Sequence, residues 1–369
     1  MHRACLAICL NAVLAVACVL AGTGAGAAFE AEARKFYPAP NAPPGAPAQT
    51  GAPAAPDAAG RALRIISTAD LDAFEPIILG FQAENPDIAV DYTIASTSQL
   101  MRAIHDEGAV FDLAISSAMD LQTKLANDGF AQAYRSGATD ALPQWARWRN
   151  QVFAFTQEPA VLILSESAFA GIAIPRNREE LIALLRDNPA RFRGRIGTYD
   201  VRVSGFGYLM ATQDSRNAEA YWRLMEVMGR LEARLYCCSG DMIRDVADGR
   251  LALAYNVLGS YASARIAENA PGVRIVQLND FVNVMLRTVT IPAGARHVDS
   301  AHKMVDFLVT LGQRPELAAR SGLPPIDDRV LRANNAMRPI RLGPGLLVYL
   351  DSQKRRNFLR SWTSSLVQE

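Results

Sequence analysis

The chain has 369 residues, of which 50% are hydrophobic, and its 38 basic and 37 acidic side chains give a formal net charge of +1. This balance excludes a broad basic surface for nucleic acid or anionic lipid. The hydrophobic fraction is sufficient for a buried core. The length exceeds what one core usually holds, so two packed units are expected.

The N-terminus has the pattern of a secretory signal peptide. A basic start at His2 and Arg3 precedes an apolar run from Ala4 to Leu20, and small residues with an A-x-A pattern follow at 25–27. An exported precursor carries these three regions in this order. We therefore predict that residues 1–28 are removed and that the mature protein is periplasmic. A retained membrane anchor and a lipoprotein site at Cys18 are the alternatives.

Residues 29–61 are predicted to form a disordered linker. From Pro38 to Gly60 the chain consists almost entirely of alanine, proline and glycine. Such a segment buries too little apolar surface to offset the entropy of ordering it. The folded part is therefore expected to begin near Ala62.

The cysteine and histidine content gives no sign of a metal centre or a cofactor. Cys5, Cys9 and Cys18 leave with the signal peptide, and only the adjacent pair Cys237 and Cys238 remains. A disulfide between neighbours closes a strained ring, so we predict two reduced thiols. The mature histidines, which are His105, His297 and His302, lack metal-ligand spacing.

The first elements alternate between strand and helix. "LRIIST" is an apolar strand, and in the next segment Phe74, Ile77, Ile78 and Phe81 share one helical face that stops before Pro86. The segments "IAVDYTIA", "TSQLMRAIHDEG", "FDLAIS" and "MDLQTKLANDGFA" continue as strand, helix, strand and helix. This order predicts a parallel sheet flanked by helices.

The middle of the chain is expected to cross into a second lobe and return. "VFAFTQEPAVLILSE" is interpreted as two strands joined at Glu158-Pro159, and "VNVMLRTVTIPAG" as the return strand. The predicted fold is therefore α/β with two lobes and a cleft between them. Lobe 1 comprises 62–157 plus 285–325, lobe 2 comprises 158–284, and a C-terminal helical segment, 326–369, packs on the lobes.

Serine and glycine recur in the turns that follow strands, which read "STAD", "SSAMD", "RVSGFG" and "CCSGDM". Serine hydroxyls and helix N-termini attract anions, and glycine lets a ligand approach the backbone. Ligands of open α/β sheets bind at the carboxyl ends of strands. The predicted ligand-binding residues are Ser67, Thr68, Ser116, Ser117, Arg202, Ser204, Gly205, Ser239, Gly240 and Asn256.

Each of these assignments has a structural alternative. Serine, threonine and aspartate are the common N-caps of helices, and Asn256 can simply end its strand. Glu158 is interpreted as a brace of the hinge, and Arg287 as either a brace or a ligand-binding residue. The chain has no G-x-S-x-G, H-E-x-x-H or P-loop sequence, so no catalytic residue is predicted. A secreted hydrolase remains the alternative of another class.

Several segments resemble the periplasmic solute-binding proteins of ABC importers, in the type 2 group that includes ferric-iron binders. They are "LRIISTAD", "GFQAENPDIAVDY" and "RTVTIPAGARHVDSAHKMVDFLVT". Four others are similar to a subgroup akin to the phosphoglycerate transport regulatory protein and hexose-phosphate sensors: "SSAMDLQTKLANDGFAQAY", "TYDVRVSGFGYLMATQD", "AYNVLGSYA" and "GPGLLVYLDSQKRRNFLRSW".

The resemblance implies a type 2 binding-protein fold that closes on a ligand held by the turns at Ser67, Ser116-Ser117, Ser204-Gly205 and Ser239-Gly240. An inner-membrane ABC permease or a sensor histidine kinase would detect the closed form. The iron binders of this group usually supply two adjacent tyrosines as ligands to the metal, whereas Tyr255 and Tyr261 are six residues apart in this sequence. We therefore expect a monomer that binds a small phosphorylated or carboxylated solute, with a ferric or other metal carrier as the alternative.

Overall fold

A computed structural model describes residues 31–42, 62–267 and 272–368 of the chain. The predicted signal peptide and residues 29–30 and 43–61 of the predicted linker lie outside the described residues. Among the helices that are described, none combines the length and hydrophobicity needed to cross a bilayer.

The described residues form an alternating series of strands and helices. The strands are β1 (Ala33–Tyr37), β2 (Ala62–Ser67), β3 (Ala89–Ile94), β4 (Leu113–Ser116), β5 (Arg147–Trp148), β6 (Val152–Ser165), β7 (Ile196–Tyr199), β8 (Arg234–Tyr236), β9 (Leu253–Leu258), β10 (Val273–Val276), β11 (Val282–Thr290) and β12 (Met337–Pro339). The helices are α1 (Leu71–Glu84), α2 (Thr97–His105), α3 (Met119–Asn127), α4 (Gly137–Asp140), α5 (Arg178–Asp187), α6 (Pro189–Phe192), α7 (Gly205–Asn217), α8 (Ala220–Arg230), α9 (Ser239–Ala247), α10 (Gly259–Ala267), α11 (Val298–Val309), α12 (Pro315–Ser321), α13 (Asp328–Ala333) and α14 (Ser352–Trp362).

The strands join in one sheet whose main order is β1-β3-β2-β4-β11-β6-β9-β7-β8. In the first half, β2 pairs in parallel with β3 and β4. In the second half, β7 pairs in parallel with β8 and β9. The antiparallel strands β6 and β11 connect the halves. The predicted α/β architecture with a parallel centre in each half is therefore confirmed.

The predicted break at Glu158-Pro159 is wrong, because residues 152–165 form one continuous strand. Its first part pairs with β11 and places Pro159 opposite Val284. From Ala160 onwards it pairs with β9. Proline cannot donate a ladder hydrogen bond, and here it stands where β6 changes partner. The predicted lobe boundaries at 158 and 285 both fall inside strands that connect the halves.

The prediction of a disordered linker is wrong for its first part, since Ala33–Tyr37 form the edge strand β1. This strand pairs antiparallel with β3. Arg34 makes a two-pronged ion pair with the buried Asp91. The Nε2 atom of Gln82 donates to the carbonyls of Tyr37 and Pro38. Charged and aromatic side chains, together with these long-range bonds, order a segment whose neighbours are alanine- and proline-rich.

Hydrophobic helix faces pack on both halves of the sheet. The predicted α1 face is confirmed, because Phe74, Ile77, Ile78 and Phe81 are all fully buried in the core of the first half. A second core in the other half contains residues of α5, α8 and α14, among them Leu181, Leu224 and Trp362. Each half therefore has its own core.

The C-terminal segment adds a third crossing to the two that the sequence predicts. β12 pairs in parallel with β11, and the 3-10 helix Pro344–Leu350 contacts α3 of the first half. α14 then inserts Phe358 and Trp362 into the core of the second half. The segment thus spans both halves.

Candidate functional site

The predicted serine turns of the first half lie together at the ends of β2 and β4. Ser67 Oγ accepts a hydrogen bond from the Ala69 N–H at 3.0 Å, and Ser116 Oγ accepts one from the Ala118 N–H at 3.1 Å. Thr68 Oγ1 accepts from the Ser117 N–H at 3.1 Å, and the two hydroxyl oxygens are 3.5 Å apart. Parallel pairing of β2 with β4 brings these four residues to one edge of the sheet.

The turns of the second half follow the neighbouring strands β7 and β8. Ser204 caps α7, and its Oγ accepts from the Gly207 N–H at 3.1 Å. Ser239 begins α9, and its Oγ lies 2.5 Å from Tyr199 Oη. Burial raises the pKa of Tyr199 well above its usual value, so the phenol stays protonated. Tyr199 was not among the predicted ligand-binding residues, and its only signal in the sequence is its position at the end of a buried strand.

The two halves touch where α7 meets α2. The Gly205 N–H donates to Thr97 Oγ1 at 2.9 Å, and Ser98 Oγ donates to the Val203 carbonyl at 2.8 Å. A Cβ atom at Gly205 would lie 2.8 Å from Thr97 Oγ1 and 2.9 Å from a Leu121 methyl group. Glycine therefore permits this close approach of the halves. Thr97 was not predicted, because it reads only as the start of a helix.

A second contact between the halves joins Asp70 and Tyr261. The Asp70 N–H donates to Tyr261 Oη at 3.3 Å. The Arg287 guanidinium lies 5.6 Å from the centre of the Tyr261 ring. Burial raises the pKa of Tyr261 to about 12, and loss of water also raises the pKa of Asp70. Neither Asp70 nor Tyr261 was among the predicted ligand-binding residues.

Arg287 and Glu158 form a fully buried ion pair between the connecting strands. Arg287 Nε and Nη2 donate to the two carboxylate oxygens at 2.9 and 3.1 Å. Thr156 and Ser260 also donate to Glu158. Burial alone would raise the pKa of Glu158, but the guanidinium holds it below its usual value. Arg287 Nη1 is buried and has no hydrogen-bond partner among the described residues.

Arg202 and Asn256 are held by neighbouring carboxylates. Arg202 makes two 2.8 Å hydrogen bonds to Asp200, and it borders a groove of about 330 Å³ between the halves together with Ser204 and Gly205. Asn256 lies in a bulge of β9 with a φ of 62°. Its Nδ2 donates to the buried Asp214 at 2.7 Å.

Asp120 lines the same groove as Arg202 and is almost fully buried. It stands in the first turn of α3, where its Oδ1 accepts from the Leu121 N–H at 2.9 Å. Burial nevertheless raises the pKa of its carboxyl to about 7. The groove therefore contains a carboxyl group that changes charge near neutral pH.

The prediction of two reduced thiols is contradicted, because Cys237 and Cys238 are joined in a disulfide. They connect β8 to α9 immediately before Ser239. A Cβ atom added at Gly240 would meet nothing within 4 Å. The backbone at Gly240 is therefore accessible from solvent, and it lies two residues after the Cys237–Cys238 disulfide.

Comparison with known proteins agrees with this architecture. Residues 63–315 match the family described as bacterial extracellular solute-binding protein. A substrate-binding protein of an ABC transporter from Agrobacterium tumefaciens is 32% identical, with 90% of this chain and 98% of that chain covered and a TM-score of 0.81. No curated protein matches the sequence.

Two more distant structures share the fold. The periplasmic binding protein AfuA from Actinobacillus pleuropneumoniae, with fructose-6-phosphate bound, is 16% identical over 83% of this chain and 99% of that chain, with a TM-score of 0.67. Iron-bound HitA from Pseudomonas aeruginosa is 16% identical over 82% of this chain and 99% of that chain, with a TM-score of 0.64. Both structures contain a bound ligand, which is fructose-6-phosphate in one and iron in the other. The fold is that of type 2 periplasmic binding proteins, and the chain belongs to the family of bacterial extracellular solute-binding proteins.

Proposed function

We propose that this protein binds a small anionic organic solute, phosphorylated or carboxylated, in the periplasm and delivers it to an inner-membrane ABC importer. The observation that carries the proposal is the unpartnered Nη1 of Arg287. Buried donors are almost always hydrogen-bonded, and a charged donor is costly to leave without an acceptor. A ligand oxygen supplies that acceptor.

The surrounding turns favour an anion over a neutral molecule. Helices α3 and α7 begin directly after the turns that contain Ser117 and Ser204, and α9 begins at Ser239 itself. Each helix N-terminus favours negative charge by about 0.3–1 kcal/mol. The hydroxyls of Thr68 and Ser239 add donors that reorient to suit an acceptor. A phosphate or carboxylate uses donors of both halves at once.

The polar remainder of the ligand is expected to carry hydroxyl groups. Tyr199 and Tyr261 stay protonated, so each can donate to and accept from a hydroxyl. The Asp70 carboxylate can accept hydrogen bonds from hydroxyl groups. These groups are suited to a small polyol or sugar acid that bears an anionic end.

The contacts between the halves support a closure mechanism. The bonds from Gly205 to Thr97 and from Asp70 to Tyr261 exist only while the halves touch. A ligand that bridges both halves shifts the population towards the closed form. The importer would recognise that form. A sensor histidine kinase is the alternative partner that the sequence resemblance implies.

A ferric carrier finds no support in the tyrosines. Iron(III) prefers phenolate, whereas burial raises the pKa of Tyr255 and of Tyr261. Tyr255 Oη also donates to Asp214 at 2.7 Å and accepts from Arg178 at 2.8 Å. Binding a metal there would require the loss of both buried bonds.

A thermal-shift screen tests the proposal. Purified mature protein is heated with phosphorylated and carboxylated solutes of three to six carbons, each beside its neutral analogue. At a hundred times its dissociation constant, a ligand adds about 2.7 kcal/mol of stability. We expect this gain only from an anionic solute, and we expect it to shrink in Ser117→Ala but not in Ser215→Ala. Equal stabilisation by the neutral analogue, or turnover of a phosphate ester, would overturn the proposal.

A further inference from the structure

The Cys237–Cys238 disulfide lies immediately before α9, and the N-terminus of this helix is part of the candidate site. Cys237 is exposed and Cys238 is half-buried. Cys238 is the N-cap residue of α9, yet its side chain makes no capping hydrogen bond. The first N–H groups of a helix lack intrahelical partners. The oxidised pair therefore leaves the N-terminus of α9 without the side-chain cap that this position normally supplies.

Reduction would supply that cap. A thiolate at the N-cap accepts hydrogen bonds from the first turn, and the helix dipole stabilises its charge. Asp241 opposes this charge, since its carboxylate and the two sulfurs lie within 4.8 Å of one another. Arg244 neutralises much of that opposition, because it forms an ion pair with Asp241. The turn thus stabilises the thiolate form of Cys238 that forms when the disulfide is broken.

The oxidation state is coupled to the candidate site through Ser239. Its hydroxyl lies 2.5 Å from Tyr199 Oη, and it directly follows the two bonded cysteines. The ring of a disulfide between neighbours restricts the backbone of both residues. Opening the ring frees the two residues that position Ser239.

We propose that Cys237–Cys238 is a reversible thiol–disulfide exchange site that controls the N-terminus of α9. The thiolate of an external dithiol attacks the exposed Cys237 sulfur, the Cys237–Cys238 bond breaks, and Cys238 leaves as a thiolate. The second thiol of the reagent then attacks the mixed disulfide and releases Cys237. Two electrons pass to the protein, and the reagent leaves as a cyclic disulfide.

Alkylation and intact-mass measurement test the exchange step. The folded full-length mature protein is incubated in dithiothreitol redox buffers and then alkylated with iodoacetamide. We expect two alkyl groups at reducing potentials, none at oxidising potentials, and complete reversal between them. A pair that stays inert while the protein is folded, or whose reduction unfolds the protein, would overturn the proposal.

Hydrogen exchange tests the coupling without any ligand. We expect the amides of Gly240 and Asp241 to exchange about tenfold more slowly in the reduced protein, because each gains a charged acceptor. Cys237→Ser, which leaves Cys238 as a free thiol, should show the same protection without reductant. Cys237→Ser/Cys238→Ala should lack it. Unchanged exchange on reduction would contradict the coupling, whether or not the protein binds an anion.

Discussion

Arg287 binds Glu158 through two hydrogen bonds across the strands that connect the halves, and both side chains are fully buried. The pair uses two of the three guanidinium nitrogens. The third nitrogen, Nη1, is left for another acceptor. One residue therefore stabilises the connection between the halves and offers a charged donor to a ligand.

Removal of one partner of this pair should strongly destabilise the protein. Glu158→Gln leaves Arg287 buried without a counter-charge, which typically costs about 3–5 kcal/mol. Urea unfolding followed by circular dichroism measures the change. The matched control is Glu232→Gln, because the Arg193–Glu232 pair is exposed and such pairs contribute at most about 1 kcal/mol. Equal losses in both variants would contradict the role of the buried pair.

Closure of the two halves should depend on the absence of a side chain at position 205. In Gly205→Ala the new Cβ would lie within 3 Å of Thr97 Oγ1 and of a Leu121 methyl group. These side chains must move, and we expect the halves to separate as a result. Small-angle scattering should give a larger radius of gyration than for the wild type. Gly240→Ala is the control, because its Cβ meets nothing within 4 Å. A wild-type radius for Gly205→Ala would show that the contact with α2 does not set the closed form.

Asn256 should matter for stability through its backbone as well as its side chain. Asn256→Ala loses the hydrogen bond to Asp214 and places alanine at a φ of 62°. Asn256→Gly loses the same bond but tolerates the conformation. Alanine should therefore be less stable than glycine by about 1–2 kcal/mol in urea unfolding. Equal stabilities would remove backbone strain from the explanation.

Asp120 should make the folded protein less stable as the pH rises. Its folded pKa of about 7 exceeds its ordinary value of 3.8, because burial disfavours the charged form. Between these values the folded state holds a proton that the unfolded state has lost. Stability therefore falls with rising pH, by at most about 1.4 kcal/mol per unit, and the loss ends above pH 7.

Asp120→Asn should abolish that slope and gain most stability above pH 7. The free energy of unfolding in urea, measured from pH 4 to pH 8, checks this expectation. Asp128→Asn is the control, because Lys124 lowers the pKa of Asp128 and its removal should not stabilise the protein. A slope that persists unchanged in Asp120→Asn would assign the pH dependence to other groups.

Periodic features were predicted well from the sequence. The helical spacing of Phe74, Ile77, Ile78 and Phe81 is confirmed, because one apolar face must meet the core wherever the helix lies. The serine turns were located correctly, since strand and helix patterns fix where turns occur. Whether those turns bind a ligand remains a proposal.

Features that depend on long-range partners could not be derived. β1 exists because β3 offers a free edge and Asp91 a counter-charge for Arg34. β6 continues through Pro159 because β9 replaces β11 as its partner. Thr97 and Tyr261 acquire their contacts only when the two halves touch, and Tyr199 acquires its contact only when α9 packs beside β7. Local sequence contains none of this information.

Calorimetric titration of Arg287→Lys with the anionic solute that stabilises the wild type tests the central claim most directly. Lysine keeps the positive charge beside Glu158 but lacks the second set of donors that Nη1 provides. Loss of one charged hydrogen bond of about 1.5–3 kcal/mol predicts at least tenfold weaker binding by a variant that remains folded. Binding of wild-type strength by the folded variant would contradict the account.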